Sequence, residues 1–490
     1  MSCPLISGRL LRSEGLYNRL RLFAAVMVVG LLAGCGLPQL PSDNDEVFQY
    51  TVQKSLSNNH TEAARASYHY IQGTTPDNQR YDRALRLLAD SLDELGMSYA
   101  ASLWYLEIAK SRRDPELIDE AVRGLEEIMA RDEYDRATIL SGYVASAEIS
   151  GLPPEQDAFV SYHQGMDNLR RGLAGWAVRE FRSIRDDSPY KHRADFALVM
   201  TGLSSYDLEG TETALRKMLE REELPEDLQV DIHRTLARVA FEQQRYEDAL
   251  EEYEKIRDTA PDDPKLLLEM AWTHYYLGDY QRSLGLLVAL DAPAYRGLIA
   301  PERYLLEALA LKQLCQFEPA RNAAVRLRRR GDAINDLYDG TPLKLSDALR
   351  RAARQRTRGE GIAEFRLQVR SEAKLIDEYR DQLGEDLAAR LDEVYEQGLR
   401  ESRRREDAEL DDEMKVVSQE LLAAEEGVRL VLHELAVSLL RGRRRVEQAP
   451  RIEEFDVPAG GERVYFQFEG EFWTDEIDDL VVPVEDRCIE

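Results

Sequence analysis

The residues of this sequence that could do chemistry are its seven histidines and its four cysteines. His433-Glu434 begins like the zinc motif HExxH, but position 437 is valine, so the second zinc ligand is missing. The other histidines have no metal-ligand spacing, and we find neither a GxSxG nucleophile motif nor a phosphate-binding glycine loop. We therefore expect no catalytic residue, no bound metal and no dissociable cofactor, which leaves a cryptic hydrolase as the weakest alternative for the function.

Cys35 follows a segment with the features of a signal peptide. Four arginines precede a run of 13 uncharged residues, LFAAVMVVGLLAG at 22–34. This run is too short to span a bilayer, which needs about 20 residues, but signal-peptide cores have about 7–15 residues. We therefore expect that the chain is exported and that residues 1–34 are removed.

The run ends in Leu32-Ala33-Gly34-Cys35, which resembles the lipobox of bacterial lipoproteins. The resemblance implies that the Cys35 thiol carries a covalent lipid, detectable by palmitate labelling, and that residues 35–44 form a lipidated linker. Several acyl chains hold a protein on a membrane far more firmly than one. Gly36 replaces the aspartate that retains such proteins in the inner membrane, so the resemblance implies an outer-membrane anchor with the body facing the periplasm.

Cys315 and Cys488 remain after Cys3 leaves with the signal peptide and Cys35 is acylated. Outside the cytoplasm two such cysteines could form a disulfide. Their positions in the sequence do not show whether they lie close enough, so a bonded pair and two free thiols both stay open.

A repeat with a period of 34 residues occupies the middle of the chain. In VAFEQQRYEDALEEYEKIRDTAP, the residues Tyr246, Ala249 and Tyr253 stand at helical spacing, and the pattern returns as Tyr280, Ser283 and Leu287. This period and these residue types resemble the tetratricopeptide (TPR) repeat, a pair of helices that buries its apolar surface against neighbouring pairs. Generic helical hairpins without TPR geometry are the alternative.

Weaker copies extend the array in both directions. Their small residues, which let helices approach closely, stand at positions 64, 101, 137, 177, 214, 249, 283 and 320. This spacing predicts eight helix pairs over residues 45–335. The resemblance implies an all-α, TPR-like solenoid.

A different pattern follows over residues 345–447, which contain no proline. From Met414 to Ser438 apolar residues recur in steps of three and four, which is typical of a coiled-coil seam. The stretch 401–412 is highly charged and interrupts the apolar pattern. Two interpretations are open: an antiparallel hairpin that turns near 401–412, which this central break favours, or one long helix that self-associates through 414–438.

The acidic tail, 448–490, changes character again. We expect short β-strands at VYFQF (464–468) and LVVPVE (480–485), which makes the tail a small β-containing segment. Its carboxylates match no calcium-binding loop. The end of the tail, FEGEFWTDEIDDLVVPVEDRC, is similar to the C-terminal ends of TPR lipoproteins from delta-proteobacterial cell-envelope systems, some of which belong to gliding-type motility machines.

Alignment with the TPR pattern implies which residues line the concave face, because the first helix of each pair lies there. In the two clearest repeats these residues are Arg234, Arg238, Phe241, Trp272, Tyr275 and Tyr276, and weaker copies add Tyr162, Met166, Arg170 and Tyr206. Aromatic and arginine side chains are typical of peptide-binding grooves. The alternative is that several of the aromatic residues pack between repeats.

These patterns favour a membrane-anchored, non-enzymatic scaffold or adaptor that binds protein partners in a bacterial envelope complex, such as a motility-type machine. The net charge of −28 argues against nucleic acid as a partner. One alternative resembles the TPR lipoprotein of the outer-membrane barrel-assembly machine, which has a shorter array and no comparable coil. Another is a lipoprotein that coordinates cell division or peptidoglycan synthesis.

Overall fold

A computed structural model of the chain describes residues 39–131, 138–147, 149, 151–203, 206–221, 223–257, 259, 263–290, 301–329, 332–356, 362–442 and 481–488. The predicted signal peptide, the lipidated Cys35 and the strand predicted at 464–468 lie outside the described residues. No helix among the described residues has the length and apolar character needed to cross a bilayer.

The described residues form twenty α-helices and no strand, which confirms the all-α class for this part of the chain. The helices are α1 (Asn44–Leu56), α2 (His60–Gly73), α3 (Tyr81–Glu94), α4 (Ser98–Ser111), α5 (Pro115–Met129), α6 (Thr138–Ser146), α7 (Pro154–Arg170), α8 (Ala174–Ser183), α9 (Lys191–Leu203), α10 (Leu208–Leu219), α11 (Glu226–Glu242), α12 (Tyr246–Arg257), α13 (Pro264–Tyr276), α14 (Tyr280–Ala289), α15 (Glu302–Gln313), α16 (Phe317–Arg329), α17 (Asp332–Tyr338), α18 (Asp347–Arg356), α19 (Ile362–Leu383) and α20 (Glu385–Gly442). A short 3₁₀ turn, Leu343–Leu345, precedes α18.

Helices α1 to α16 follow one another as eight pairs, as the repeat predicts. Six of the eight small residues that define the repeat are fully buried: Ala64, Ala101, Ala177, Ala249, Ser283 and Ala320. Ala214 is only partly buried, and Thr211, one turn earlier on α10, takes the buried position instead. The register of that weak copy is therefore wrong by one turn, and position 137 lies outside the described residues.

Side-chain caps and glycine turns set the ends of the repeat helices. Asp263 Oδ1 accepts a hydrogen bond from the backbone N–H of Lys265 at 2.8 Å, and Pro264 occupies the first turn of α13, where no backbone donor is needed. Gly278 has a φ of +80°, which favours glycine, and it ends α13. Asp279 then caps α14. The chain therefore turns between these two helices at Gly278.

The chain divides into two compact units. Unit 1 comprises residues up to Trp104 together with Glu372–Val394, and unit 2 comprises Tyr105–Ser371 together with the remainder from Tyr395. Within unit 1, Glu372 Oε2 accepts a hydrogen bond from the backbone N–H of Tyr99 at 3.0 Å. The described residues of unit 1 thus include both repeat helices and part of the later helical segment.

The turn of the later helical segment lies at Gly384, between α19 and α20, and not near 401–412. Gly384 has a φ of +79°, and Arg380 Nη2 donates to Asp392 Oδ2 across the turn at 2.9 Å. Helix α20 continues without interruption through 401–412, so the predicted hairpin turn is wrong. Arginine and glutamate favour helices, and ion pairs such as Arg405–Glu401 at 3.1 Å support the helix through this charged stretch.

The heptad seam of α20 is filled by residues of the same chain within unit 2. Its apolar residues from Leu410 to Leu435 form one buried cluster with residues of α15, α16, α17 and α18. A Cβ atom built on Gly427 would lie 2.7 Å from Leu305 Cδ2, so α20 approaches α15 closely at this position. The surface predicted for self-association, 414–438, is therefore buried inside one chain.

Residues 481–488, which we call the C-terminal strap, form no strand, so the strand predicted at 480–485 is wrong for the residues described. The strap binds to turns and ends of repeat helices in unit 2. Gln281 Nε2 donates to the carbonyl oxygen of Val484 at 2.8 Å, and Gln316 Nε2 donates to that of Glu485 at 2.7 Å. Cys315 and Cys488 form a disulfide with their Cα atoms 5.1 Å apart, which answers the question left open by the sequence.

Candidate functional site

A cavity of about 290 Å³ opens in unit 2 between α11, α12, α13 and the start of α15. The lining residues are Arg238, Phe241, Glu242, Tyr253, Glu269, Trp272, Tyr276 and Glu302. We call this cavity the aromatic groove. Four of the six residues predicted for partner binding line it. They come from two first helices of neighbouring pairs, on which steps of three and four residues place side chains on one face.

The aromatic side chains of the groove form a stacked wall. The ring of Tyr276 lies nearly parallel to those of Tyr246, at 5.0 Å between centroids, and Trp272, at 5.9 Å. Phe241 meets Tyr276 edge to face at 5.5 Å. Tyr276 is 50% exposed, whereas Phe241 and Trp272 are partly buried against the core of these repeats. The wall therefore has a buried base and an accessible edge.

Arg234 braces the two first helices and does not line the cavity. Its guanidinium donates to both oxygens of Glu269, at 3.2 and 3.1 Å, and to Asp263 Oδ2 at 2.6 Å. Arg238, one turn later, is half exposed and donates through Nη2 to Glu269 Oε1 at 2.7 Å. The carboxylate of Glu269 is thus held by two arginines, and Arg238 alone presents a cation to the groove among the residues that line it.

Tyr275 lies beside the aromatic groove but outside its lining. Its hydroxyl accepts a hydrogen bond from Gln313 Nε2 at 3.2 Å, and its ring lies 5.5 Å from that of Tyr280. It also packs partly against the two neighbouring buried clusters. These contacts give Tyr275 a place between successive repeats.

Two carboxylates of the groove, Glu242 and Glu302, were not predicted from the sequence. Glu242 is exposed in the last turn of α11, and Glu302 begins α15. Neither has an ion-pair partner among the described residues. Removal of water by the surrounding groups raises the pKa of Glu302, and the indole N–H of Trp272 offsets this in part. The position of Glu242 directly after Phe241 is a sequence signal that could have identified it. Glu302 follows a segment with no repeat pattern, so no such signal indicates it.

The residues predicted from weaker copies do not form a second groove. Tyr162 and Met166 pack against a buried cluster between α7, α8 and α9. Arg170 pairs with Asp167 on its own helix at 3.2 Å, and Tyr206 is 88% exposed in a turn. Within the described part of the chain, no group of three histidine, cysteine, aspartate or glutamate side chains is placed to hold a metal ion.

No protein-family model matches the chain, and no curated protein matches it. Matching solved structures include a tetratricopeptide repeat protein from Parabacteroides merdae (12% identity, 58% of this chain and 91% of that chain, TM-score 0.26), yeast Tom70 (13%, 88% and 95%, TM-score 0.29) and the TPR domain of P58(IPK) (12%, 82% and 100%, TM-score 0.19). At these TM-scores the likeness carries no further argument, and the repeat is defined by this chain's own helix pairs.

Proposed function

We propose that this chain is a scaffold that binds protein partners in a bacterial envelope complex, with the aromatic groove as one docking site. The observation that carries the proposal is the stacked wall of Tyr246, Tyr276 and Trp272, with its half-exposed edge beside a cavity of about 290 Å³. Large aromatic side chains contribute much of the energy of protein interfaces, because they bury area at a low cost in side-chain entropy.

The experiment is recovery of cross-linked partners from cells that carry the double variant Trp272→Ala/Tyr276→Ala. We expect recovery to fall about tenfold or more, because truncation of an interface anchor typically costs about 2 kcal/mol of binding energy. The matched control is Trp176→Ala/Tyr206→Ala, which removes the same residue types from exposed positions, 54% and 88%, away from the groove. Equal recovery with the groove variant and the native chain would contradict the proposal.

We also propose that the protein is lipid-anchored at Cys35 in the outer membrane and faces the periplasm. The lipobox pattern supports the anchor. The disulfide between Cys315 and Cys488 supports export independently, because disulfides persist in the periplasm and are rare in a reducing cytoplasm. Cys35→Ser should leave an uncleaved precursor without palmitate label. A variant that is still cleaved and still labelled would overturn the anchor.

The finer assignment to a motility-type machine rests on the likeness of the acidic tail. We propose to test it by deleting the gene and measuring cell movement, outer-membrane barrel proteins and cell division in the same strain. Loss of movement with normal barrel levels and normal division would support the assignment. A primary fall in barrel proteins, or a division defect, would support one of the two alternatives.

A further inference from the structure

The repeats hold the C-terminal strap mainly through its backbone, as they would hold a bound peptide. The backbone N–H of Val482 donates to the carbonyl oxygen of Gln281 at 3.3 Å, and that of Arg487 donates to the carbonyl oxygen of Leu314 at 3.1 Å. The side-chain amides of Gln281 and Gln316 donate to two strap carbonyl oxygens, at 2.8 and 2.7 Å. Contacts of this kind do not depend on the side chains of the bound segment, so another peptide can make them too.

Alternate side chains of the strap face the repeats. Val482 and Val484 are half-buried and pack against the buried cluster to which α14, α15 and α16 contribute. The neighbouring Val481, Pro483 and Glu485 are exposed. The surface beneath the strap therefore selects two aliphatic side chains in alternate positions and leaves the residue between them unspecified.

One disulfide ties the end of the strap to this surface. Cys488 is exposed and Cys315 is only half-buried in the turn between α15 and α16, so a thiolate from outside can reach the bond. Cys315 has a φ of +55°, at the position of the turn that Gly278, with a φ of +80°, occupies in the preceding helix pair. A side chain is disfavoured in this conformation, so the turn alone does not call for a cysteine.

Thiol–disulfide exchange with a dithiol reductant opens this bond. One thiolate of the reductant attacks Sγ of Cys488 and forms a mixed disulfide with it, and Cys315 leaves as a thiolate. The second thiol of the reductant then attacks its own sulfur in the mixed disulfide and releases Cys488. The reductant ends as a disulfide, the chain gains two electrons, and the two protons of the reductant end on Cys315 and Cys488.

Reduction weakens the hold on the strap without detaching it from the chain. Residues 443–480 still connect the strap to α20, and a tether of this kind gives an effective concentration of about millimolar at most. A partner that makes further contacts elsewhere on the repeats can displace a segment held at that concentration. It cannot displace one that is covalently bound at its end.

We propose that the surface beneath the strap is a second docking site, for a partner segment with two aliphatic side chains in alternate positions, and that the disulfide closes it. The oxidised chain fills the site with its own strap, and the reduced chain exchanges the strap for the partner segment. The site uses residues other than those that line the aromatic groove, so the inference goes beyond the function proposed above.

The test measures binding of a fluorescein-labelled peptide with the sequence of residues 481–487 to the full chain in detergent, by fluorescence anisotropy. The reduced chain should bind it about tenfold or more tightly than the oxidised chain, because the strap then competes only through its tether. Equal affinities would overturn the closure by the disulfide.

An open variant removes competition by the strap itself. It carries Cys315→Ser and Cys488→Ser, together with Val482→Asp and Val484→Asp, which remove the two side chains that face the repeats. It should bind the peptide most tightly of all and ignore the reductant. If the open variant keeps its thermal transition but binds no peptide, the docking site is wrong.

Two altered peptides test the recognition of alternate side chains on the open variant. Val484→Ser in the peptide should weaken binding severalfold, because it removes a half-buried aliphatic side chain. Val481→Ser is the matched control, since Val481 is 43% exposed in the strap, and its affinity should not change. Equal losses for both peptides would overturn the alternate pattern.

The glutamines of the site are tested in the same open background. Gln281→Ala/Gln316→Ala removes both side-chain donors to the peptide backbone and should weaken binding about tenfold. The control Gln382→Ala/Gln419→Ala changes two exposed glutamines on α19 and α20, where we expect a change of less than about twofold. An equal loss in the control would overturn the site.

The strap of a second copy is the competing occupant. Sedimentation of the reduced native chain should give the same mass over a wide range of protein concentration, because each chain keeps its own strap until a partner arrives. Association that appears on reduction and is lost with Val482→Asp/Val484→Asp would show that a second copy fills the site and would overturn the assignment to a different partner.

Discussion

The seam of α20 and the aromatic groove are two apolar surfaces of the same unit with opposite outcomes. The seam is fully covered, with Val428 completely buried beneath residues of the same chain. The groove keeps Tyr276 half exposed beside two carboxylates without ion-pair partners among the described residues. Both surfaces follow from regular helical spacing. Spacing therefore reveals that a helix face is apolar, but the residues that cover the face decide whether it is core or docking site.

The largest expected effect separates the two faces of α20. Val428→Asp places a carboxylate in a fully buried site without a partner, so we expect the free energy of unfolding to fall by about 3–5 kcal/mol. Leu430→Asp, on the same helix but 63% exposed, should change it by less than about 0.5 kcal/mol. Urea unfolding followed by circular dichroism measures both.

The same pair of variants tests whether one chain covers its own seam. We expect Val428→Asp to leave the association state of the protein unchanged in analytical ultracentrifugation in detergent, because no dimer should depend on the seam. If such a dimer is found, or if Leu430→Asp destabilises as much as Val428→Asp, the seam pairs between copies and the contrast with the groove disappears.

A second prediction concerns the C-terminal strap, which a disulfide attaches to the repeats. The disulfide joins residues 173 positions apart, and such cross-links typically stabilise by about 2–4 kcal/mol. A reductant should therefore lower the urea midpoint of the native chain. The double variant Cys315→Ser/Cys488→Ser should match the reduced protein and ignore the reductant. If reductant leaves the native chain unchanged, the hydrogen bonds from Gln281 and Gln316 hold the strap alone.

The sequence predicts contacts between neighbours well and distant contacts poorly. The small residues of the repeat pack within or between adjacent helices, so a period of 34 residues identifies six buried positions. The partner of the seam lies about one hundred residues away along the chain, and no local pattern indicates it. The break at 401–412 favours a turn over one long helix, but a charged stretch with its own ion pairs continues a helix equally well.

The candidate site shows the same division. Phe241, Trp272 and Tyr276 follow from the repeat, because their spacing fixes the helix face. Arg234 lies on that face too, but its role depends on Glu269 and Asp263 of the next pair, which neutralise it. Glu302 comes from a third pair. A pattern confined to one helix therefore predicts the aromatic residues of the groove but not the charged residues that come from other helix pairs.

A third prediction uses an upstream site where aromatic rings close over a polar group. His163 lies 4.7 Å from the ring of Phe159 and 5.5 Å from that of Tyr162. Loss of hydration, and to a lesser extent the charge of Arg170, lowers the pKa of His163 to about 4. As the pH falls, the unfolded chain therefore binds a proton at this histidine before the folded chain does. The free energy of unfolding has its full value above pH 6.5 and falls by roughly 2–3 kcal/mol as the pH drops towards 4.

Carboxylates titrate over part of the same range, so the measurement is the difference between the native chain and His163→Gln. The native chain should lose more stability than the variant between pH 6.5 and 4, and the two curves should run parallel above pH 7. If the two curves of unfolding free energy against pH are parallel over the whole range, water reaches His163 as it reaches Tyr276. The rings of Phe159 and Tyr162 then do not shield it.

The smallest expected effect is the most informative for the groove. Tyr276→Ala removes a ring that is half exposed, and we expect a loss of less than about 1 kcal/mol in the free energy of unfolding. Tyr253→Ala is the matched contrast, because Tyr253 lines the same groove but is only 2% exposed, so truncation should cost about 3–5 kcal/mol. Urea unfolding of the two variants at equal protein concentration gives both values. A loss near 3 kcal/mol for Tyr276→Ala would place its ring in the repeat core, since an exposed ring edge stabilises little until a partner covers it.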